Sequence, residues 1–115
     1  MITGHNLVGG VWESNSNTTT YKTINPKTEE ILPSCFDAAS ASQIETAVEA
    51  AAGAFETFAA TSFKTRIAFL KAIQKEIKAN SVEILSAFQL ESALPEGRAN
   101  GELQRTLDQI ERFVE

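Results

Sequence analysis

The chain is poor in the residues that usually announce chemistry. Its 115 residues hold one Cys, one His, one Met, one Trp and one Tyr. A single cysteine, Cys35, excludes an intrachain disulfide and fits a reducing compartment. One His with one distant Cys makes no zinc centre, which takes three or four ligands. No apolar run approaches the ~20 residues needed to span a bilayer, so a membrane partner is not expected. The opening MITGHNLVGG lacks the cationic start and continuous apolar stretch of a secretory signal, and a soluble, cytoplasmic protein is expected. Positive charge is also lacking. The net charge is −5, with ten Lys and Arg scattered among fifteen Asp and Glu, which gives no cationic face for a nucleic acid or an anionic lipid surface.

What is present divides into two compositions. Residues 1–36 carry half of the six Gly, two of the three Pro and seven Asn and Thr within positions 15–25. They also hold the β-formers Leu7, Val8, Val11, Trp12, Tyr21 and Ile24. From residue 37 onward Ala, Glu, Lys and Leu dominate. The first part reads as strands and turns, the second as a helical segment over 37–115.

HNLVGGVWE (5–13) reads as a strand broken by a bulge at Gly9-Gly10, Ser14–Thr18 as a turn, and 19–24 as a second strand. Asn25-Pro26 stops that strand, because Pro lacks the N–H a ladder needs. Residues 30–36 suit an irregular third strand with Pro33 at an edge. A hairpin or small meander of this size needs something to pack on.

The helical half has start signals. Ser42-Gln43-Ile44-Glu45 reads as a capping box, followed by Ile44, Ala47, Val48, Ala51, Ala52, Phe55, Phe58 and Ala59 on one face. A second helix from near Ser62 carries Ile67, Leu70, Ile73 and Ile77. Ser81 is placed to cap a third, with Ile84, Leu85 and Phe88, which Pro95 and Gly97 end. A last helix, from Glu96 or Asn100, carries Leu103, Leu107, Ile110, Phe113 and Val114. Phe55, Phe58, Phe63, Phe69, Phe88 and Phe113 are expected in the core. The chain reaches Glu115 within the last helix with no C-cap glycine or polar tail, as expected of part of a longer polypeptide.

The candidate reactive groups read as bland. Cys35 in PSCFD has apolar and acidic neighbours, the wrong surroundings for a thiolate nucleophile, and is expected to be inert and partly buried. His5 is expected at the surface, and Glu29, Glu30, Glu45, Glu49 and Glu56 on solvated faces. No G-x-G-x-x-G, Walker A or G-x-S-x-G sequence occurs. These residues by themselves specify a small α+β domain.

Read in order, the motifs resemble the N-terminal region of the aldehyde dehydrogenase superfamily along almost the whole chain. NLVGGVWES is similar to the family's first strand with its G-x-W, and Thr23-Ile24-Asn25-Pro26-Lys27-Thr28-Glu29 to its [TV]-x-N-P-x-T-G-E turn. Glu29 stands where that turn usually has Gly. AVEAAAGAFETF resembles the A-x-x-A-A-x-x-A-F helix, RIAFL the R-x-x-x-L helix, and LESALP the E-T-G-K-P stop, with Ala93 in the usual place of Gly. LPEGRANGELQRT is similar to a segment of ketoglutarate-semialdehyde and related NADP-accepting dehydrogenases.

The resemblance implies an α+β portion of an α/β enzyme, a β-hairpin or meander followed by three to four helices. It implies oxidation of a small-molecule aldehyde, 2-oxoglutarate semialdehyde among the candidates, to its acid with NAD or NADP, in a homo-oligomer. The family's nucleophile and base lie in G-Q-x-C and L-E-L-G-G contexts, which do not occur here, so no catalytic or cofactor-binding residue is assigned. One family feature maps inside the chain: a structural monovalent cation, which would nominate Thr23, the carbonyl of Ile24, and Glu91. The competing expectation, from another class, is a complete small helical interaction module. A cooperatively melting monomer, with no family contexts encoded beyond Glu115, would favour it.

Overall fold

A computed structural model describes residues 2–14 and 19–115. The expected turn at 14–18 falls, apart from residue 14, outside the described residues. Contacts divide the chain into two units, residues 1–24 with 30–60, and residues 25–29 with 61–115.

In the first unit, the expected single strand over 5–13 is instead a hairpin. Strands β1 (Asn6–Val8) and β2 (Val11–Glu13) pair antiparallel, with Val8 opposite Val11. Gly9 and Gly10 sit at φ 56° and 86°. Positive φ at both central residues of a two-residue loop reverses the chain and matches the twist of the strands it joins. The glycine pair is therefore a reversal, not a bulge.

Strands β3 (Thr20–Ile24) and β4 (Ile31–Asp37) form a second, separate antiparallel pair. Tyr21 lies opposite Phe36, with their rings stacked at 5.6 Å between centroids. The register slips between Lys22 and Ile24, where Leu32, Pro33 and Ser34 fall on the partner strand. A residue with no N–H is accommodated at such an irregularity. Within β4, burial alternates. Leu32 is buried, Ser34 and Phe36 are half-buried, and Ile31, Pro33 and Cys35 face out.

Helix α1 (Ala41–Ala59) is capped two residues before the expected Ser42. Ser40 is the N-cap: its Oγ accepts from the Gln43 N–H at 3.2 Å, and the Gln43 Oε1 accepts from the Ser40 N–H at 3.0 Å. Both S-x-x-Q from Ser40 and S-x-x-E from Ser42 fit the capping pattern. A tertiary bond favours the first, because the Gln43 Nε2 also donates to the Glu13 Oε2 of β2 at 3.1 Å. Gln43 is the one residue of α1 that is buried.

The second unit contains helices α2 (Phe63–Ala79), α3 (Ser81–Ser92) and α4 (Glu96–Val114). Helix α2 starts near Ser62, as expected, and Ser62 is its cap, accepting from the Thr65 N–H at 3.1 Å. Ser81 does not cap α3. Asn80 holds the cap position, and its side chain turns back to donate to the Glu76 carbonyl at 2.8 Å, closing α2 instead. The stripe Ile67, Leu70, Ile73 and Ile77 is the half-buried side of α2, which packs on α4. Ala99, Leu107 and Val114 are the buried residues of α4. The Gln74 Nε2 ties the pair together, donating to the Leu107 carbonyl at 3.2 Å and the Glu111 carboxylate at 2.9 Å.

The expected phenylalanine core is not found. All six of those rings are exposed, from 37% at Phe88 to 80% at Phe63. Three helices in one unit can bury only one side of each, and α1 in the other unit buries a glutamine. Helical spacing identifies an apolar face, but not whether this chain covers it.

Both departures from glycine in the family-like turns have a backbone consequence. Glu29 (φ 60°) and Ala93 (φ 54°) are the non-glycine residues with positive φ among those described. Each keeps the left-handed geometry that glycine adopts without a Cβ penalty of about 1–2 kcal/mol. Replacing either with Gly also loosens the unfolded chain by about 0.4–1 kcal/mol. Glu29→Gly and Ala93→Gly are each expected to stabilise the chain by about 0.5–1 kcal/mol net, read as a shift in the urea midpoint. An unchanged or lower midpoint would count against this account.

Candidate functional site

The Asn25 turn is a local structure built by one side chain. The Asn25 Oδ1 accepts from the N–H groups of Lys27 at 2.9 Å and Thr28 at 3.2 Å, while the Asn25 carbonyl accepts from the Glu29 N–H at 2.8 Å. This is how asparagine initiates a turn, by mimicking the next backbone segment. Just before it, Thr23 falls in the register slip and Ile24 ends β3. Glu91 lies in the last turn of α3, whose C-cap is Ala93. Thr23 and Ile24 belong to the first unit and Glu91 to the second. Thr23 and Glu91 each have an interaction partner within the chain.

Cys35 is exposed rather than partly buried. The alternation along β4 puts it on the outward face with Ile31, opposite Lys22 in the ladder. His5 is exposed, as expected, and its backbone N–H donates to the Thr3 Oγ1 at 3.5 Å. Glu29, Glu30, Glu45, Glu49 and Glu56 are all exposed. Among the described residues, no three His, Cys, Asp or Glu side chains gather as a metal ion would require.

Each unit carries a cleft of its own. One, of about 650 Å³, is lined by Ile2, Thr3, Gly4, His5, Trp12 and Phe36. The other, about 280 Å³, is formed chiefly by Ile77, Ile84, Phe88, Leu103 and Glu102. A ligand site needs a few convergent polar groups to fix orientation. The carboxylate in the second cleft is already engaged, with Arg98 at 3.0 Å and Arg105 at 2.8 Å.

A further candidate is a surface. On α1, Ile44, Val48, Phe55 and Phe58 are each at least half exposed. Large apolar side chains exposed together along one helix face mark a binding surface more often than singly scattered ones do. Its residues were legible as a stripe in the sequence. Their exposure was not, because periodicity says nothing about what lies opposite.

Comparison with known proteins bears on that exposure. Residues 12–115 match the aldehyde dehydrogenase family. The chain is 33% identical to alpha-ketoglutaric semialdehyde dehydrogenase 2 of Azospirillum brasilense over 113 residues, 98% of this chain and 22% of that protein. It superposes on an NAD-dependent benzaldehyde dehydrogenase from Corynebacterium glutamicum with a TM-score of 0.87 at 23% identity, covering 97% of this chain and 24% of the other. Aldehyde dehydrogenase 21 from Physcomitrella patens, solved with the reaction product succinate, gives a TM-score of 0.81 at 25% identity, covering 94% of this chain and 22% of that one. The chain thus spans about a fifth to a quarter of the length of the relatives it matches.

Proposed function

The chain belongs to the aldehyde dehydrogenase family, and from that premise we propose that it serves as the N-terminal scaffold of an enzyme oxidising an aldehyde to its carboxylic acid with NAD or NADP. The observation that carries this reading is the exposed apolar face of α1 in a chain about a quarter as long as its structural relatives. The semialdehyde dehydrogenase relative favours 2-oxoglutarate semialdehyde as substrate. When bound, the nicotinamide would accept hydride. This chain offers it no glycine-rich phosphate cradle, nucleophile or base in the family contexts, so the chemistry belongs to other parts of such an enzyme. A homo-oligomeric, cytoplasmic enzyme is part of the same reading. Among the described residues no helix is long and apolar enough to cross a membrane. The family match disfavours a stand-alone interaction module.

The purified 115-residue chain is expected to form no NAD(P)H with semialdehyde or benzaldehyde substrates, measured by nicotinamide absorbance. Turnover above the uncatalysed rate would sink the scaffold assignment.

A structural monovalent cation held by Thr23, the Ile24 carbonyl and Glu91 belongs to the same proposal. The donors are all oxygens, as a hard cation prefers, and two of them come from the irregular end of β3. Potassium or sodium in place of choline is expected to raise Tm in the wild type and not in Glu91→Gln. Equal cation dependence in both would remove Glu91 from the set.

A further inference from the structure

The apolar face of α1 has a charged border of one sign. The helix carries Glu45, Glu49 and Glu56 and no Lys or Arg. Each glutamate directly follows a residue of the apolar stripe: Ile44, Val48 and Phe55. One residue is about 100° of rotation, so the three carboxylates form a row along one flank of the stripe. All three glutamates are exposed, as are Ile44, Val48, Phe55 and Phe58. From Ile44 to Phe58 the face runs about 21 Å, long enough to seat four turns of a helix or a strand of six residues or so.

We propose that this face docks a polypeptide segment with an apolar centre and a Lys- or Arg-rich border. The segment would be supplied by the remainder of a longer polypeptide, the one point at which the proposal rests on the scaffold reading above. Charge complementarity selects this occupant. Desolvated glutamates at an interface need cations opposite them, and like charges there cost several kcal/mol. A second copy meeting α1 face to face would bring six glutamates into one interface, with no cation on either α1 to offset them. An anionic lipid surface is excluded on the same ground. Phe55 and Phe58 are the natural anchors, since aromatic side chains carry most of the energy in such contacts.

The test uses the 115-residue chain and two synthetic amphipathic helical peptides, one of Leu and Lys and one of Leu and Glu, titrated by calorimetry. The Leu/Lys peptide is expected to bind at least about tenfold more tightly than the Leu/Glu peptide, and less tightly as salt is raised. Phe55→Ser is expected to weaken it by about tenfold or more. The combined change Glu45→Gln, Glu49→Gln and Glu56→Gln should bring the two peptides to within about threefold of each other. All these side chains are exposed, so far-ultraviolet circular dichroism should be unchanged. Equal binding of both peptides, or binding indifferent to Phe55→Ser and the triple change, would overturn the proposal. So would wild-type dimerisation abolished by Phe55→Ser, which would identify a second copy as the occupant. None of these readouts depends on dehydrogenase activity, so the docking surface and the enzymatic reading can fail separately.

Discussion

Gly4→Ala is expected to release the N-terminal segment from β4 and cost about 2–4 kcal/mol. Gly4 has φ 74°, and a Cβ built on it would sit 1.8 Å from the Cys35 carbonyl oxygen. That is far inside any van der Waals contact, and the obstacle is backbone, which cannot rotate away. The segment must therefore move, breaking the bond from the Asp37 N–H to the Gly4 carbonyl at 2.9 Å. Hydrogen exchange should show it directly, with the Asp37 amide losing protection while the β3–β4 ladder amides keep theirs. Gly10→Ala is the matched control. It also has positive φ, 86°, but nothing lies within 4 Å of the added carbon, so strain alone remains, about 1–2 kcal/mol. Equal losses for the two variants would show that the close approach at Cys35 contributes nothing.

The second large effect is expected at Leu107. It is 6% exposed at the middle of α4, and its carbonyl receives the Gln74 amide from α2. Truncating a buried leucine to alanine removes its transfer energy and leaves a cavity, about 2–5 kcal/mol in total. Few other residues of this unit are as buried, so little remains to hold α2, α3 and α4 together. Leu107→Ala should lower Tm by roughly 8–20 °C, at about 4 °C per kcal/mol in a chain of this size. Phe113→Ala on the same helix should change Tm little, since Phe113 is 70% exposed. A larger effect at Phe113 than at Leu107 would contradict the packing described.

That pair also shows what the sequence can and cannot reveal. Leu103, Leu107, Ile110, Phe113 and Val114 recur at helical spacing, and α4 does form over them. The same spacing cannot distinguish Leu107, which meets α2, from Phe113, which meets solvent. The start of α2 near Ser62 was readable because what fixes it, the Ser62 bond to the Thr65 amide, is local. The cap of α1 was misplaced because two overlapping capping patterns were decided by Glu13, 30 residues away in the chain. At Gly9-Gly10 a bulge and a reversal share the same residues, and only the pairing of Val8 with Val11 separates them. For the candidate site the sequence yields names of donors, Thr23, Ile24 and Glu91, from resemblance. The Asn25 turn that sets the first two follows from asparagine's own chemistry.

Pro33 and the slipped register around it have a consequence for colloidal behaviour. A two-stranded ribbon with Ile24, Ile31 and Tyr21 facing out offers unfinished edges on which other chains could add and grow into fibrils. β4 lacks one donor at Pro33, and the irregular pairing there keeps the ribbon from being a flat, regular template. Strand addition along β4 is thereby disfavoured where Pro33 interrupts the row of donors.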